Sequence, residues 1–208
     1  MDSYNKYLTH LRSDKHLRNA VGWIGILLPI ILMHGEFIIY GGDYILDSIS
    51  GYYHTGMRDV FVGALCAVAL YLFFYTGYDK WDNWAGNLAG FLALGVAWFP
   101  TTKEGPIDTI GIVHLIFAIL FFLTLAGFSY FLFTKEGDTP KQRKIIRKRI
   151  YKVCAYVMVG CLAAILIYIL FIQDNNSNSS FIFWAETFAL IAFGVSWLTK
   201  GRTIYSDK

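Results

Sequence analysis

The chain has 208 residues, of which 56% are hydrophobic and only 16% are charged, and its mean hydropathy is +0.46. An ordinary soluble domain has about 25% charged residues, so the lipid bilayer is the expected solvent of this chain. The net charge of +3 is too small to indicate a nucleic-acid-binding protein, and the sequence contains no glycine-rich phosphate loop of the kind found in soluble nucleotide-binding enzymes.

Apolar runs predict an all-α, polytopic integral membrane protein with six transmembrane helices. The runs lie at about 20–40, 59–77, 84–100, 108–133, 151–172 and 181–199. Most of them approach the roughly 20 residues that a helix needs to cross the hydrocarbon core. We therefore expect a single transmembrane domain over 20–199, with a cytoplasmic N-terminal segment (1–19) before it and a cytoplasmic tail (200–208) after it.

The distribution of lysine and arginine predicts the orientation of these spans. Basic residues concentrate in the N-terminal segment, in the C-terminal tail, and in the loop TKEGDTPKQRKIIRKRIYK, which has eight of them. Because basic loops favour the cytoplasmic side, we expect both termini in the cytoplasm and a multi-pass protein of the inner (cytoplasmic) membrane. The basic stretch at 141–152 either sets this topology alone or also contacts anionic lipids of the cytoplasmic leaflet.

With this topology, ionisable side chains from four spans lie at a similar depth near the outer face. They are His34 and Glu36 in the first span, His54, Arg58 and Asp59 around the start of the second, His114 in the fourth and Glu186 in the sixth. Such groups are costly inside a membrane, and they usually face one another or a water-filled cavity. The sequence therefore predicts one polar cavity at the outer face, with the stretch SISGYYHTGMRD at its rim.

The residue types in this cavity favour a divalent metal such as zinc, because imidazole and carboxylate groups are good zinc ligands. The predicted ligands are His54, His114, Asp59 and Glu186. The predicted catalytic groups are Ser50, which would orient a water molecule, and Asp59 or Glu186 as general base. The predicted substrate-binding residues are Arg58, Tyr53, His34 and Glu36, and among them Arg58 would hold a phosphate or carboxylate.

Each of these residues also has a structural interpretation, and the sequence leaves that alternative open. His54 and Arg58 would then be interfacial residues of a hydrated loop, and Asp59 would pair with Arg58 or cap the second span. His114 would bond to a neighbouring helix, and Glu186 would pair with a histidine or a backbone group.

Two resemblances add to this interpretation. The stretches SISGYYHTGMRDVFVGAL, GVAWFPTT, IGIVHLIFAILFFLTLAGFSYFLFTK and FWAETFALIAFGVSWLTKG resemble an uncharacterised family of bacterial six-span membrane proteins. Ser50, His54 and Asp59 are also similar to a motif of the CREST superfamily, which includes alkaline ceramidases and adiponectin-receptor-like proteins. That resemblance implies a zinc-dependent hydrolase, with Glu186 and His114 in place of the HxxxH that this superfamily has in its last span.

Three functions are compatible with the sequence. The first is a metal-dependent hydrolase that acts on a lipid amide or ester at the outer leaflet. The second is a non-enzymatic transporter or channel, in which His114 and Glu186 relay protons or substrate. The third is a binding or sensing protein whose cavity holds a lipid or another small ligand. In each case membrane lipids are the expected partners, and a homo-oligomer is compatible with the sequence.

Overall fold

The computed structural model describes residues 2–75, 80–103, 105–135, 141–172 and 179–205. Within these ranges the regular structure is entirely helical, without a β-strand, which confirms the all-α prediction. The α-helices are α1 (Asp2–Gly35), α2 (Arg58–Phe74), α3 (Lys80–Trp98), α4 (Thr109–Gly127), α5 (Lys141–Phe171) and α6 (Phe181–Lys200). Short π-helical turns prolong α1 over Glu36–Tyr40 and α4 over Phe128–Leu132.

Each predicted span corresponds to one helix, but α1 and α5 are longer than their apolar runs. α1 begins at Asp2 and α5 begins at Lys141, whereas the apolar runs begin near 20 and 151. No glycine or proline interrupts either polar extension, and lysine, arginine and glutamine are good helix formers. The helical backbone therefore continues past the end of the apolar sequence.

Four of the helical segments are long and apolar enough to cross a membrane. They are Lys15–Tyr40, Thr109–Leu132, Gln142–Phe171 and Phe181–Lys200. By length and composition these segments indicate a membrane protein. The other two helices, α2 and α3, are shorter or less apolar, with 17 and 19 residues.

The helices form a closed ring in which each helix packs against the one before it and the one after it in the chain, and α6 packs against α1. The contact between α1 and α6 is close because glycines face each other there. A Cβ atom on Gly22 would lie 2.9 Å from the carbonyl oxygen of Gly194. Small residues of this kind let transmembrane helices approach closely.

One end of the ring, which we call the terminal end, contains the start of α1 and the end of α6. Its centre is Trp197, which is fully buried. The Trp197 ring contacts the rings of Tyr71, Tyr75, Phe128, Phe133 and Phe193, with centroid distances of 5.0–6.0 Å. We call these six side chains the Trp197 cluster.

Charged side chains are buried around the Trp197 cluster. Arg147 and Asp82 are almost completely buried, and the Lys135 ammonium lies 3.1 Å from the Asp82 carboxylate. The Lys200 ammonium lies 5.3 Å from the centre of the Phe133 ring. The sequence predicts a polar cavity near the outer face. These buried charges lie at the opposite end and were not predicted.

Candidate functional site at the loop end

Residues 41–57 join α1 to α2 and cover the other end of the ring, which we call the loop end. Gly41, with a φ of +67°, ends the π-helical turn of α1 in a conformation that glycine adopts without strain. Ser50–His54 forms a 3₁₀ turn. Within this turn the Tyr52 side chain is fully buried. The Tyr52 hydroxyl donates to the carbonyl oxygen of Tyr44 at 3.3 Å. Burial raises the pKa of the Tyr52 phenol to about 12, so the phenol stays neutral.

Glu186 holds this loop against the first turns of α6. One carboxylate oxygen accepts a hydrogen bond from the Ile49 backbone N–H at 2.5 Å, and the other accepts one from the Ser50 hydroxyl at 3.3 Å. The Phe183 backbone N–H donates to the carbonyl oxygen of Asp47 at 2.9 Å. The structure thus brings Ser50 and Glu186 together, and it places the Glu186 carboxylate against backbone and hydroxyl donors of the loop.

Two of the histidines near this end, His54 and His114, hold the linker between α3 and α4. His54 Nε2 lies 2.6 Å from the carbonyl oxygen of Thr101, and His114 Nδ1 lies 2.7 Å from that of Phe99. Because a carbonyl only accepts, each of these nitrogens donates its proton. His114 is 3% exposed, and its Nε2 has no hydrogen-bond partner among the described residues.

Asp108 ends the same linker and begins α4. Its carboxylate accepts hydrogen bonds from the Gly111 backbone N–H at 2.6 Å and from the Thr102 hydroxyl at 3.0 Å. This is an N-cap, which satisfies a free N–H of the first helical turn. The linker is therefore held at three points, by His54, His114 and Asp108.

The remaining predicted site residues lie apart from these contacts. The His34 imidazole is exposed and lies 3.1 Å from the Tyr44 hydroxyl, while Glu36 is buried beside Gly42. The Arg58 guanidinium donates to the Tyr53 hydroxyl at 3.0 Å.

Asp59 is exposed in the first turn of α2. Its carboxylate has no hydrogen bond or ion pair to any residue in the described part of the chain.

The predicted ligands do not come together as a zinc centre in the part of the chain that the structure describes. Within the described ranges, no group of three or more histidine, cysteine, aspartate or glutamate side chains could hold a metal ion. One nitrogen of His54 and one of His114 are each bonded to a backbone carbonyl, and both Glu186 oxygens are bonded to the loop. The zinc hypothesis therefore has no support from this geometry.

A pocket of about 710 Å³ opens at the loop end between the 43–55 segment, the α3–α4 linker and Ser180. Its charged lining residues are Asp43, Asp47 and Lys103, and the His54 ring also lines it. Neither the Asp43 nor the Asp47 carboxylate forms a hydrogen bond or an ion pair with a described residue. The sequence analysis predicted His54 here and missed the three charged residues. Their only signal was their position in two glycine-containing loops between apolar runs.

No protein family model, no curated protein and no solved structure matches this chain. The two resemblances drawn from the sequence therefore stay predictions, and the function has to be argued from the site itself.

Proposed function

We propose that this chain is a membrane protein that binds a small ligand carrying an ammonium group in the pocket at its loop end. The observation that supports this proposal best is the pair of carboxylates, Asp43 and Asp47, that line the pocket without a partner among the described residues. The pocket volume of about 710 Å³ is in the range of roughly 300–1,000 Å³ that is usual for small-molecule sites.

The chemistry of the lining agrees with a ligand that has a cationic and a polar part. Two carboxylates can accept hydrogen bonds from one ammonium group, and such charge-assisted bonds are about twice as strong as neutral ones. The exposed Lys103 ammonium would bind an anionic part of the same ligand. The carboxylates are exposed, so a soluble ligand would reach them from water.

Binding is better supported than hydrolysis because two of the three predicted catalytic side chains, Ser50 and Glu186, already hold the loop. The Ser50 hydroxyl donates to Glu186. His54 and His114 each donate to a backbone carbonyl. Nucleophilic catalysis requires a base within about 3 Å of the nucleophile and free to accept its proton. Transport has less support, because a path to the other side would have to pass through the tightly packed Trp197 cluster.

A thermal unfolding experiment tests the proposed ligand class. We expect phosphoethanolamine to raise the unfolding midpoint of the detergent-purified protein, because a ligand that binds only the folded state stabilises it by about 2.7 kcal/mol at 100 times its Kd. Glycerol phosphate, which carries hydroxyl groups and no ammonium, should have little effect. Tryptophan fluorescence during heating reports the midpoint.

The double variant Asp43→Asn/Asp47→Asn should lose the phosphoethanolamine effect, while Asp59→Asn should keep it. Asp59 is an exposed carboxylate on the adjoining α2 and does not line the pocket, so it controls for a general loss of negative charge. An equal shift with glycerol phosphate, or an undiminished shift in the double variant, would contradict the proposal.

We also propose that all six helices cross the inner membrane and that both termini are cytoplasmic. At 1.5 Å per residue, the 17 residues of α2 and the 19 residues of α3 extend about 26 and 29 Å, close to the roughly 30 Å of the hydrocarbon core. Both helices are members of the ring between α1 and α4. The basic residues that favour the cytoplasm then all lie at the terminal end.

Cysteine labelling in intact cells distinguishes six spans from four. In a variant without the native cysteines, we expect a membrane-impermeant maleimide to label Lys103→Cys but to label Lys15→Cys and Lys80→Cys only after lysis. All three side chains are exposed. If α2 and α3 did not cross, Lys80→Cys would lie on the same side as Lys103→Cys and would be labelled in intact cells.

A further inference from the structure

The start of α5 carries an exposed stripe that combines cations with apolar and aromatic side chains. Arg149, Lys152, Val153 and Tyr156 follow one another at positions i, i+3, i+4 and i+7, so they share one face of the helix. Val153 is 58% exposed and Tyr156 is 63% exposed. The stripe therefore faces outward from the helix ring.

The π-helical turn that ends α4 places an aromatic ring beside this stripe. The Tyr130 ring on that turn lies 5.9 Å from the Tyr156 ring, and the Lys152 ammonium lies 5.5 Å from the centre of the Tyr130 ring. We call the surface formed by Arg149, Lys152, Tyr130 and Tyr156 the α4–α5 groove.

The two cations of the α4–α5 groove have no carboxylate partner in the described part of the chain. Neither Arg149 nor Lys152 forms an ion pair with a described residue, whereas Lys135 nearby in the sequence pairs with Asp82. Both cationic side chains are exposed. Their positive charge is therefore available to an anion that approaches from outside the ring.

The position of the groove along α5 matches the boundary between headgroups and hydrocarbon. Tyr156 lies about 6 Å further along the helix than Lys152, within the segment Gln142–Phe171 that is apolar enough to cross a membrane. Tyrosine is enriched at this boundary, and lysine and arginine there extend towards the headgroups.

We propose that the α4–α5 groove binds the phosphate headgroup of an anionic phospholipid. The Arg149 guanidinium and the Lys152 ammonium bind the phosphate, Tyr130 and Tyr156 contact the glycerol region, and the acyl chains lie along Val153 and Val157. A lipid fits better than free phosphate because the exposed apolar side chains continue directly from the cations. This inference does not depend on the ligand proposed for the pocket at the loop end.

Native mass spectrometry of the detergent-purified full chain tests this inference. With matched acyl chains, we expect phosphatidylglycerol to bind more tightly than phosphatidylcholine. The double variant Arg149→Gln/Lys152→Gln should weaken phosphatidylglycerol binding by about thirtyfold, because each basic residue near an anionic headgroup contributes roughly 1 kcal/mol. The charge-preserving variant Arg149→Lys/Lys152→Arg should keep most of the binding.

The matched control is Lys15→Gln/Lys80→Gln, which removes the same charge from exposed positions on α1 and α3. It should bind phosphatidylglycerol as the wild type does. An equal loss in both double variants, or full binding by Arg149→Gln/Lys152→Gln, would overturn the inference. Displacement of the lipid by glycerol phosphate would also overturn it, because the site would then recognise phosphate alone.

If the double variant does not fold, Lys152→Gln alone should weaken binding severalfold, and unchanged binding would count against the groove.

Discussion

Replacement of Trp197 by alanine is expected to lower the free energy of unfolding by about 3–5 kcal/mol, the usual cost of removing a large buried aromatic side chain. Trp197 is fully buried, and its ring contacts side chains from α2, from α6, from the turn that prolongs α4 and from Phe133 directly after that turn. A cavity at this position would therefore loosen several helices at once. Inside a membrane protein, packing contacts carry much of the stability that the hydrophobic effect provides in water.

Unfolding of the purified protein in detergent by increasing denaturant measures this effect. The matched control is Trp98→Ala, since Trp98 is 64% exposed at the end of α3 and its removal leaves no cavity. We expect the control to change the free energy of unfolding by less than about 1 kcal/mol. Equal effects of the two substitutions would show that the terminal end is not packed around Trp197.

The second large effect is expected for Glu186→Ala, which should lower the free energy of unfolding by about 2–4 kcal/mol. The substitution leaves the Ile49 backbone N–H and the Ser50 hydroxyl without the carboxylate that accepts from them. Ile49 and Ser50 are buried, so their donors have little access to water as an alternative. Glu186→Gln keeps one acceptor oxygen and should lose less stability than Glu186→Ala.

The neighbouring Thr187→Val provides the control for Glu186→Ala. Thr187 is buried on the same helix, and its hydroxyl has no hydrogen-bond partner among the described residues. Its replacement by the similarly shaped valine should leave stability unchanged or slightly higher. Limited proteolysis of residues 41–57 separates local from global effects, because Glu186→Ala should accelerate cleavage there. Unchanged stability and cleavage would contradict the role assigned to Glu186.

The helices themselves could be predicted from the sequence because the length of an apolar run is a local property. The last run was predicted at 181–199 and the helix spans Phe181–Lys200; the second was predicted at 59–77 and the helix spans Arg58–Phe74. The polar extensions of α1 and α5 were missed, because hydropathy marks the part of a helix that fits the bilayer and does not mark where its backbone hydrogen bonds end.

The sequence also identified the end of the molecule at which Ser50, His54, His114 and Glu186 would lie. It grouped His54, His114 and Glu186, together with Asp59, as ligands of one metal because it compared side chains with side chains. In the structure the partners of His54, His114 and one oxygen of Glu186 are backbone groups, of Thr101, Phe99 and Ile49. Every residue has such groups, so no pattern of residue types reveals which of them will face a given imidazole or carboxylate.

By itself, then, the sequence determined that this chain is helical, that several of its helices suit a bilayer, and that polar side chains collect near one end. Only the packing of the helix ring decided which polar groups meet. It brought Asp43, Asp47 and Lys103 from two separate loops to one pocket, and it buried Arg147 and Asp82 at the terminal end. Lys103 is far along the chain from Asp43 and Asp47, as Arg147 is from Asp82, and the free energy of burying or pairing a charge depends on the neighbours that tertiary packing supplies.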